Sequence, residues 1–296
     1  MATTTGKGDR MKTTLASAIV VSLLLIGVPA LAAETLTLYD NFNAATINFT
    51  KWTGSVSDAL EANRSIVFPV AGDGELLLVA RGYGFRTNNA TPADLGEGRS
   101  TNNRLKFRRL AQDAIHAIRA TVKVNSAAAI GCPAAGTDVV QARFRMNGFF
   151  FNDGTGEPGR ATGDVFARVE VRRLSNNPVA NGLDIRAQVA RCSEPECVLT
   201  DTLFNQALGT TLVGATSTLL LQWDPVANQF LFQLNANPVV RFTYTLADTR
   251  GPQNTGDKKY IGINHFIPNC LAAQTQALMS VNVDDVFINT VAVTGP

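Results

Sequence analysis

The stretch between residues 139 and 191 decides the fold class of this chain. Residues 141–147 read QARFRMN, residues 167–172 read ARVEVR and residues 183–189 read LDIRAQV. Side chains alternate between the two faces of a β-strand, so each segment has one apolar face and one charged face. The pattern predicts three neighbouring strands. Their apolar side faces a core, and their other side carries arginines and a few carboxylates.

Similar short segments recur along the chain and are separated by turn-forming residues. Examples of these turns are residues 72–74 (GDG), 181–182 (NG) and 224–225 (DP). No segment keeps a helical period of apolar residues over three turns. Many short strands with regular turns indicate an all-β fold, a two-sheet antiparallel β-sandwich or jelly roll.

The first 32 residues are typical of a secretion signal rather than of a folded domain. Lys12 precedes an uncharged apolar run at residues 16–28, and residues 30–32 (ALA) provide the small side chains that a signal peptidase reads. We therefore expect a signal peptide at residues 1–32. An uncleaved membrane anchor is the alternative, because the apolar run is nearly long enough to cross a bilayer.

Removal of this leader would leave residues 33–296 as a single domain. Met11 would be the true start, and residues 1–10 would be an upstream extension. The remaining chain has 23 basic and 23 acidic residues, so its charge gives no reason to bind nucleic acid or an anionic membrane. We expect a secreted protein, periplasmic or at the cell surface of a bacterial envelope, with no nucleic-acid partner and no membrane partner after cleavage.

Four cysteines follow the leader, and an even number in an exported chain predicts disulfides. Four cysteines permit three connectivities. We favour Cys192–Cys197, which closes a short loop, together with Cys132–Cys270, which joins two distant loops. Zinc binding is the alternative, but the chain's two histidines lie near neither pair in the sequence.

Segments at both ends of the predicted domain resemble a known superfamily. These segments are YDNFN at residues 39–43 with Lys51-Trp52, DDVFI at residues 284–288, and the pair LLLQWD at 219–224 and FLFQLN at 230–235. They resemble the opening strand, the closing strand and the penultimate hairpin of concanavalin A-like lectin and glucanase domains of the laminin-G-like sort. The resemblance implies that the first and last strands pair in one sheet and that the concave face of the other sheet binds carbohydrate.

The charged side of the predicted strands is where we expect a ligand. Aromatic rings stack on sugar faces, and Asn, Asp, Gln and Arg bind hydroxyls. The candidate ligand-binding residues are Arg143, Arg145, Arg168, Glu170, Arg172, Asp184, Arg186, Tyr83 and Phe150. The leading hypothesis is an exported, non-catalytic carbohydrate-binding or surface-adhesion module whose partner is a glycan or polysaccharide. A structural envelope protein that binds a protein partner is a further alternative.

A polysaccharide-degrading enzyme of the same fold is the main alternative. A glycoside hydrolase needs two carboxylates, and Glu170 and Asp184 are the candidate catalytic pair. The Glu-x-Asp-x-x-Glu motif of glucanases is absent, and cross-strand ion pairs with the arginines explain both carboxylates better. A jelly-roll lyase would use a tyrosine, a basic side chain and arginines that neutralise a sugar carboxylate, but its Gln-x-His motif is also absent. The sequence therefore favours binding over catalysis.

One histidine and two aspartates are further candidates for the site. His265 alternates with Ile261 and Ile263, which predicts that it points into the core rather than to a ligand. In the superfamily that the chain resembles, calcium commonly clamps the terminal strands, so Asp40 and Asp285 are candidate calcium ligands. Turn caps and surface charges are the competing interpretation of these aspartates. No other cofactor is predicted.

Overall fold

The computed structural model describes residues 34–57, 61–84, 99–108, 112–132, 139–253, 259–268 and 274–289, together with Met1, Thr3 and Cys270. The chain divides into two compact units, Met1–Ala33 and Glu34–Pro296, and every strand belongs to the second unit. The predicted signal peptide falls almost entirely outside the described residues and stays a prediction. Within the described part of the chain, no helix is long and apolar enough to cross a membrane.

The described residues form two antiparallel sheets. The strands are β1 (Leu36–Asp40), β2 (Trp52–Ser57), β3 (Glu61–Val70), β4 (Asp73–Tyr83), β5 (Arg99–Phe107), β6 (Ala117–Ile130), β7 (Gln141–Asn152), β8 (Asp164–Leu174), β9 (Gly182–Cys192), β10 (Thr200–Leu212), β11 (Thr216–Asp224), β12 (Gln229–Leu234), β13 (Val240–Thr243), β14 (Lys259–Ile267) and β15 (Gln276–Asn289). The first sheet has the order β13-β12-β11-β6-β15-β4-β3, with β1 also paired to β15, and the second has the order β10-β9-β8-β7-β14-β5-β2. The predicted two-sheet antiparallel sandwich is confirmed.

The first and last strands pair in one sheet, as the resemblance implies. Leu38 of β1 lies opposite Phe287 of β15 in an antiparallel ladder. Strand β15 also pairs with β4 through its N-terminal half and with β6 along most of its length. The two ends of the domain are thereby held together in the first sheet.

The core lies between the sheets and is built by the predicted alternation. Phe144 of β7, Val169 of β8 and Ile185 of β9 are buried and belong to one continuous apolar cluster. Trp52 and Trp223 join the same cluster from opposite ends of the sequence. Because the strands alternate, the arginines between these apolar residues are directed to the outer side of the second sheet.

The phenylalanines at the end of β7 depart from simple alternation. The register between β7 and β8 shifts between Phe149 and Phe151, which is the mark of a β-bulge. Phe150 and Phe151 consequently both enter the main core, while Phe149 packs against Phe166 in a separate cluster on the outer side. Phe150, predicted as a glycan contact, is 2% exposed, with its ring centroid 5.6 Å from that of Trp223, so that prediction is wrong.

Both predicted disulfides are present. Cys132 pairs with Cys270, and Cys192 pairs with Cys197. All four cysteines are therefore used, which excludes the zinc interpretation of these residues. The first disulfide ties the chain after β6 to the chain after β14, and the second closes the loop between β9 and β10.

Candidate active site on the arginine face

The outer side of β7, β8 and β9 brings together seven of the predicted ligand-binding residues. We call this surface the arginine face; it consists of Arg143, Arg145, Arg168, Glu170, Arg172, Asp184 and Arg186. The strand register aligns them: Arg143 lies opposite Arg172, Arg145 opposite Glu170, Glu170 opposite Arg186, and Arg172 opposite Asp184. Five guanidinium groups and two carboxylates thus share one surface of the second sheet.

Glu170 is the centre of this face and is buried beneath the guanidinium groups. Its Oε1 atom lies 2.6 Å from Nε of Arg145 and 3.0 Å from Nε of Arg168. Burial alone would raise the pKa of this carboxyl. The positive charges of Arg145, Arg168, Arg143 and Arg172 outweigh burial and hold the pKa of Glu170 well below its usual range. Glu170 is therefore ionised at neutral pH and cannot serve as a proton donor.

The side chain of Asn264, on β14, bridges two of the arginines. Its Oδ1 atom accepts hydrogen bonds from Arg145 at 2.6 Å and from Arg143 at 3.0 Å, and its backbone carbonyl accepts a third bond from Nε of Arg143 at 2.9 Å. Burial and the neighbouring charge of Arg145 lower the pKa of Arg143 well below its usual range. Asn264 fixes both guanidinium groups without neutralising either charge.

Tyr260, also on β14, adds a proton-carrying group to this cluster. It is buried, like its neighbour Ile261, but strand alternation directs the two side chains to opposite sides, so Tyr260 lies on the outer side beside Arg145 and contributes to the raised pKa of that guanidinium. The guanidinium carbon of Arg104 lies 4.7 Å from the centroid of its ring. Sequence reasoning missed Tyr260, although its alternation with Ile261 could have placed it opposite the core.

Gly262 separates Tyr260 from Asn264 on β14 and is the register partner of Arg145 on β7 and of Arg104 on β5. A Cβ atom at Gly262 would lie 2.5 Å from the backbone oxygen of Asn103 and 2.6 Å from Cα of Arg104. Only glycine fits this close approach of the two strands. The position thus keeps Tyr260 and Asn264 at a fixed separation on either side of the Arg145 guanidinium.

The arginine face has an excess of positive charge that is only partly exposed. The side chain of Arg168 is 17% exposed and that of Arg172 is 13% exposed. Burial and the charge of Arg145 lower the pKa of Arg168 to about 10. Half-buried guanidinium groups of the same sign repel one another, and an anion placed among them relieves that repulsion. The electrostatics therefore suit an anionic ligand.

Neither histidine of the chain belongs to the arginine face. His265 is buried, as predicted: its Nε2 atom lies 3.0 Å from the carbonyl oxygen of Ala80, and its Nδ1 atom accepts a hydrogen bond from the amide of Arg143. Burial lowers the pKa of His265 to about 4. His116 packs against Trp223. Neither histidine therefore contributes a ring nitrogen to this surface.

Comparisons with known proteins identify relatives in structure only. No protein-family model and no curated protein sequence matches the chain. Similar solved structures include an endo-β-galactosidase from Clostridium perfringens that releases GlcNAcα1-4Gal, with 12% identity and a TM-score of 0.40 over 85% of this chain and 63% of that one. They also include a non-specific endo-β-1,3(4)-glucanase of family GH16, with 14% identity and a TM-score of 0.37 over 87% of this chain and 92% of that one. A β-1,3-glucanase from Mycobacterium marinum has 13% identity and a TM-score of 0.35 over 85% of this chain and 99% of that one.

The described residues of this chain form two antiparallel sheets, with the first strand paired to the last. The chain covers less than two thirds of the endo-β-galactosidase structure, so the similarity concerns only part of that protein.

The prediction of a non-catalytic carbohydrate-binding module is corrected by the positions of the two aromatic residues chosen as sugar contacts, which lie elsewhere. Phe150 is in the core. Tyr83 is on β4 of the first sheet, where it alternates with buried residues and points away from the second sheet. Neither of the two aromatic residues predicted as sugar contacts is therefore part of the arginine face.

The calcium site stays a prediction. The carboxylate of Asp40 accepts hydrogen bonds from Nε1 of Trp52 at 2.7 Å and from the amide of Phe42 at 3.0 Å, as a turn cap does. Asp285 is exposed at a register shift of β15 and has a positive φ of 45°. Among the described residues, no group of three or more His, Cys, Asp or Glu side chains is arranged to hold a metal ion.

Proposed function

We propose that the protein is an exported polysaccharide-degrading enzyme that cleaves an acidic glycan by β-elimination on the arginine face. The observation that carries this proposal is the cluster of Tyr260, Asn264, Arg143 and Arg145. It combines one hydroxyl oxygen with two guanidinium groups that share the neutral amide oxygen of Asn264. Arg145 is also paired with Glu170, whereas the side chain of Arg143 donates only to neutral oxygens. The predicted leader and the two disulfides support export.

β-Elimination on a uronic acid requires two catalytic contributions from the protein. The first is a cationic site that neutralises the sugar carboxylate and stabilises the negative charge that develops there when the proton on C5 is removed. Arg143, which has no carboxylate partner of its own, and the net positive charge of the arginines around Glu170 supply this charge, and planar guanidinium groups match the geometry of a carboxylate. Asn264 holds both in place.

The second contribution is proton transfer. In our proposal the hydroxyl oxygen of Tyr260, which lies beside Arg145, accepts the proton from C5 while the hydroxyl donates its own proton to the leaving oxygen on C4. The C5–H and C4–O bonds break, a C4=C5 double bond forms, and a proton ends on the departing sugar, so atoms and electrons balance. A positioned side chain of this kind contributes roughly 10²- to 10⁴-fold to the rate.

Hydrolysis by a pair of carboxylates fits the arginine face less well. An acid catalyst must be protonated before the reaction, whereas the surrounding arginines keep Glu170 ionised. Asp184, on the neighbouring strand β9, lies 3.8 Å from Arg172, which follows Glu170 by two residues on β8. The elimination route uses the arginines as substrate ligands and needs no protonated carboxyl group.

The decisive experiment compares the wild-type protein with Tyr260→Phe on a panel of uronate-containing polysaccharides. We expect wild-type protein to release products with the ultraviolet absorbance of an unsaturated uronate. We expect Tyr260→Phe to lower the turnover by roughly 10²-fold or more. Tyr83→Phe, on the opposite surface of the domain, is the matched control and should keep full activity. New reducing ends without unsaturation, or no cleavage of any polymer in the panel, would overturn the proposal.

A further inference from the structure

Arg172 and Arg186 occupy the part of the arginine face that lies away from Tyr260. They project from the neighbouring strands β8 and β9. Within the described part of the chain, the Nε atoms of both side chains are buried and have no hydrogen-bond acceptor. A buried donor without an acceptor lowers the stability of a protein, so two of them on one surface need an explanation.

The carboxylates nearby do not satisfy these two arginines. Oε1 of Glu170, which lies opposite Arg186 in the ladder, is already shared between Arg145 and Arg168. Asp184 approaches the Nη2 atom of Arg172 only to 3.8 Å, beyond hydrogen-bond distance. Its side chain is also 32% exposed, so solvent weakens the attraction. Arg172 and Arg186 therefore keep unused Nε donors, and Asp184 offsets the charge of Arg172 only through a long, partly exposed contact.

We propose that Arg172 and Arg186 form a second anion-binding position, and that the substrate is a glycan with an anionic group on consecutive sugars. The inference rests on the proposed function, which places one sugar carboxylate at Arg143 and Arg145. Neighbouring strands are about 4.8 Å apart, so the second position lies roughly 5–10 Å from the first, across the strand direction. The glycan chain would cross β14, β7, β8 and β9, with one charged sugar at each position.

Binding is measured by isothermal titration calorimetry at low ionic strength, with Tyr260→Phe protein so that cleavage of the ligand is slow. The two probes are oligosaccharides of equal length, one with a uronate at every sugar and one in which uronates alternate with neutral sugars. We expect the fully charged probe to bind more tightly. Arg186→Gln should weaken its binding roughly tenfold, as expected for the loss of a charge-assisted hydrogen bond, and should leave the alternating probe unchanged.

Two further variants serve as controls for the charge and for the planar donor set of Arg186. Arg241→Gln, at an exposed position on β13 of the first sheet, removes the same charge away from the site and should change neither affinity. Arg186→Lys keeps the charge but loses the planar donor set, so it should weaken binding of the fully charged probe less than Arg186→Gln does. Thermal melting checks that each variant is folded, and Arg186→Lys carries the test if Arg186→Gln is not.

The outcomes separate this inference from the proposed function. Equal affinity of the two probes, or an equal loss for both in Arg186→Gln, would overturn the second position even if the wild-type enzyme cleaves uronates. Arg186-dependent preference for the fully charged probe, with no cleavage by the wild-type protein, would support the second position and overturn the elimination reaction. Arg186-dependent preference for the fully charged probe, together with cleavage of uronates by the wild-type protein, supports both the second position and the elimination reaction.

Discussion

Oε1 of Glu170 lies 2.6 Å from Nε of Arg145, and the side chains of the two residues are only 6% and 9% exposed. Burying two charges costs solvation free energy, so such a pair adds little stability over an apolar pair. Removing one partner is costly, because the other charge is then left buried and uncompensated. The pair accordingly holds Arg145 in a fixed orientation beside Tyr260 and Asn264.

Replacing Glu170 with Gln should therefore destabilise the fold. The variant keeps the shape of the side chain but leaves the surrounding guanidinium groups without their central negative charge. We expect a loss of about 3 kcal/mol in the free energy of unfolding, measured by urea denaturation. Glu196→Gln is the control, because Glu196 and its partner Arg160 are both 62% exposed and 3.5 Å apart. That change should cost less than about 1 kcal/mol, and equal losses would contradict a structural role for Glu170.

A methyl group at Gly262 should disturb both stability and activity. The Cβ atom of Gly262→Ala would meet backbone atoms of β5 at 2.5 and 2.6 Å, so β14 must move away from β5. We expect a cost of roughly 1–3 kcal/mol and a drop in turnover, because Tyr260 and Asn264 move with the strand. Gly251→Ala, where the nearest atom would be 3.9 Å away, should change neither quantity. Unchanged turnover in Gly262→Ala would show that strand spacing does not set the site geometry.

The sequence predicted the arginine face because the pattern that defines it is local. In QARFRMN and ARVEVR, alternation alone assigns Arg143, Arg145, Arg168 and Arg172 to one side of a strand. The pairing of the first and last strands was also predicted, from motifs at the two ends of the domain. These features depend on neighbouring residues or on a known architecture, and both can be read without coordinates.

The rest of the site depends on strand pairings that local patterns do not encode. Tyr260 reaches Arg145 only because β14 pairs with β7, more than a hundred residues earlier in the chain. Phe150 was misplaced because a bulge shifts the alternation by one residue. Strand β10 (Thr200–Leu212) was not predicted: it is an edge strand with two register shifts, so its side chains do not alternate cleanly between buried and exposed.

His265 should make the stability of the fold depend on pH. Its pKa is about 4 in the folded protein, because of burial, against about 6.5 in the unfolded chain. Between these values the unfolded chain binds more protons, so stability falls as pH decreases from about 6.5 to about 4 and is fully present above that window. The loss amounts to about 3 kcal/mol.

The comparison that isolates this effect is the pH dependence of urea unfolding for wild-type protein and His265→Gln. We expect the variant to be less stable than the wild type at neutral pH. Its stability should also lack the decrease between about pH 6.5 and about pH 4 that is due to His265. Asp284, whose pKa burial raises to about 6, contributes with the opposite sign and is present in both proteins, so it cancels. Parallel curves for the two proteins would rule out the buried neutral histidine as the source.

The two disulfides should contribute unequally to stability. Cys132 and Cys270 are 138 residues apart and Cys192 and Cys197 only 5, so the first cross-link removes far more conformational freedom from the unfolded chain. In the chain-entropy description, replacing both members of the long-range pair with Ser costs about 5 kcal/mol and replacing the short-range pair costs about 2 kcal/mol. Denaturant unfolding of the two double variants measures the difference. Equal losses would mean that the disulfides act through local native contacts, because loop entropy demands that the long-range bond contribute more.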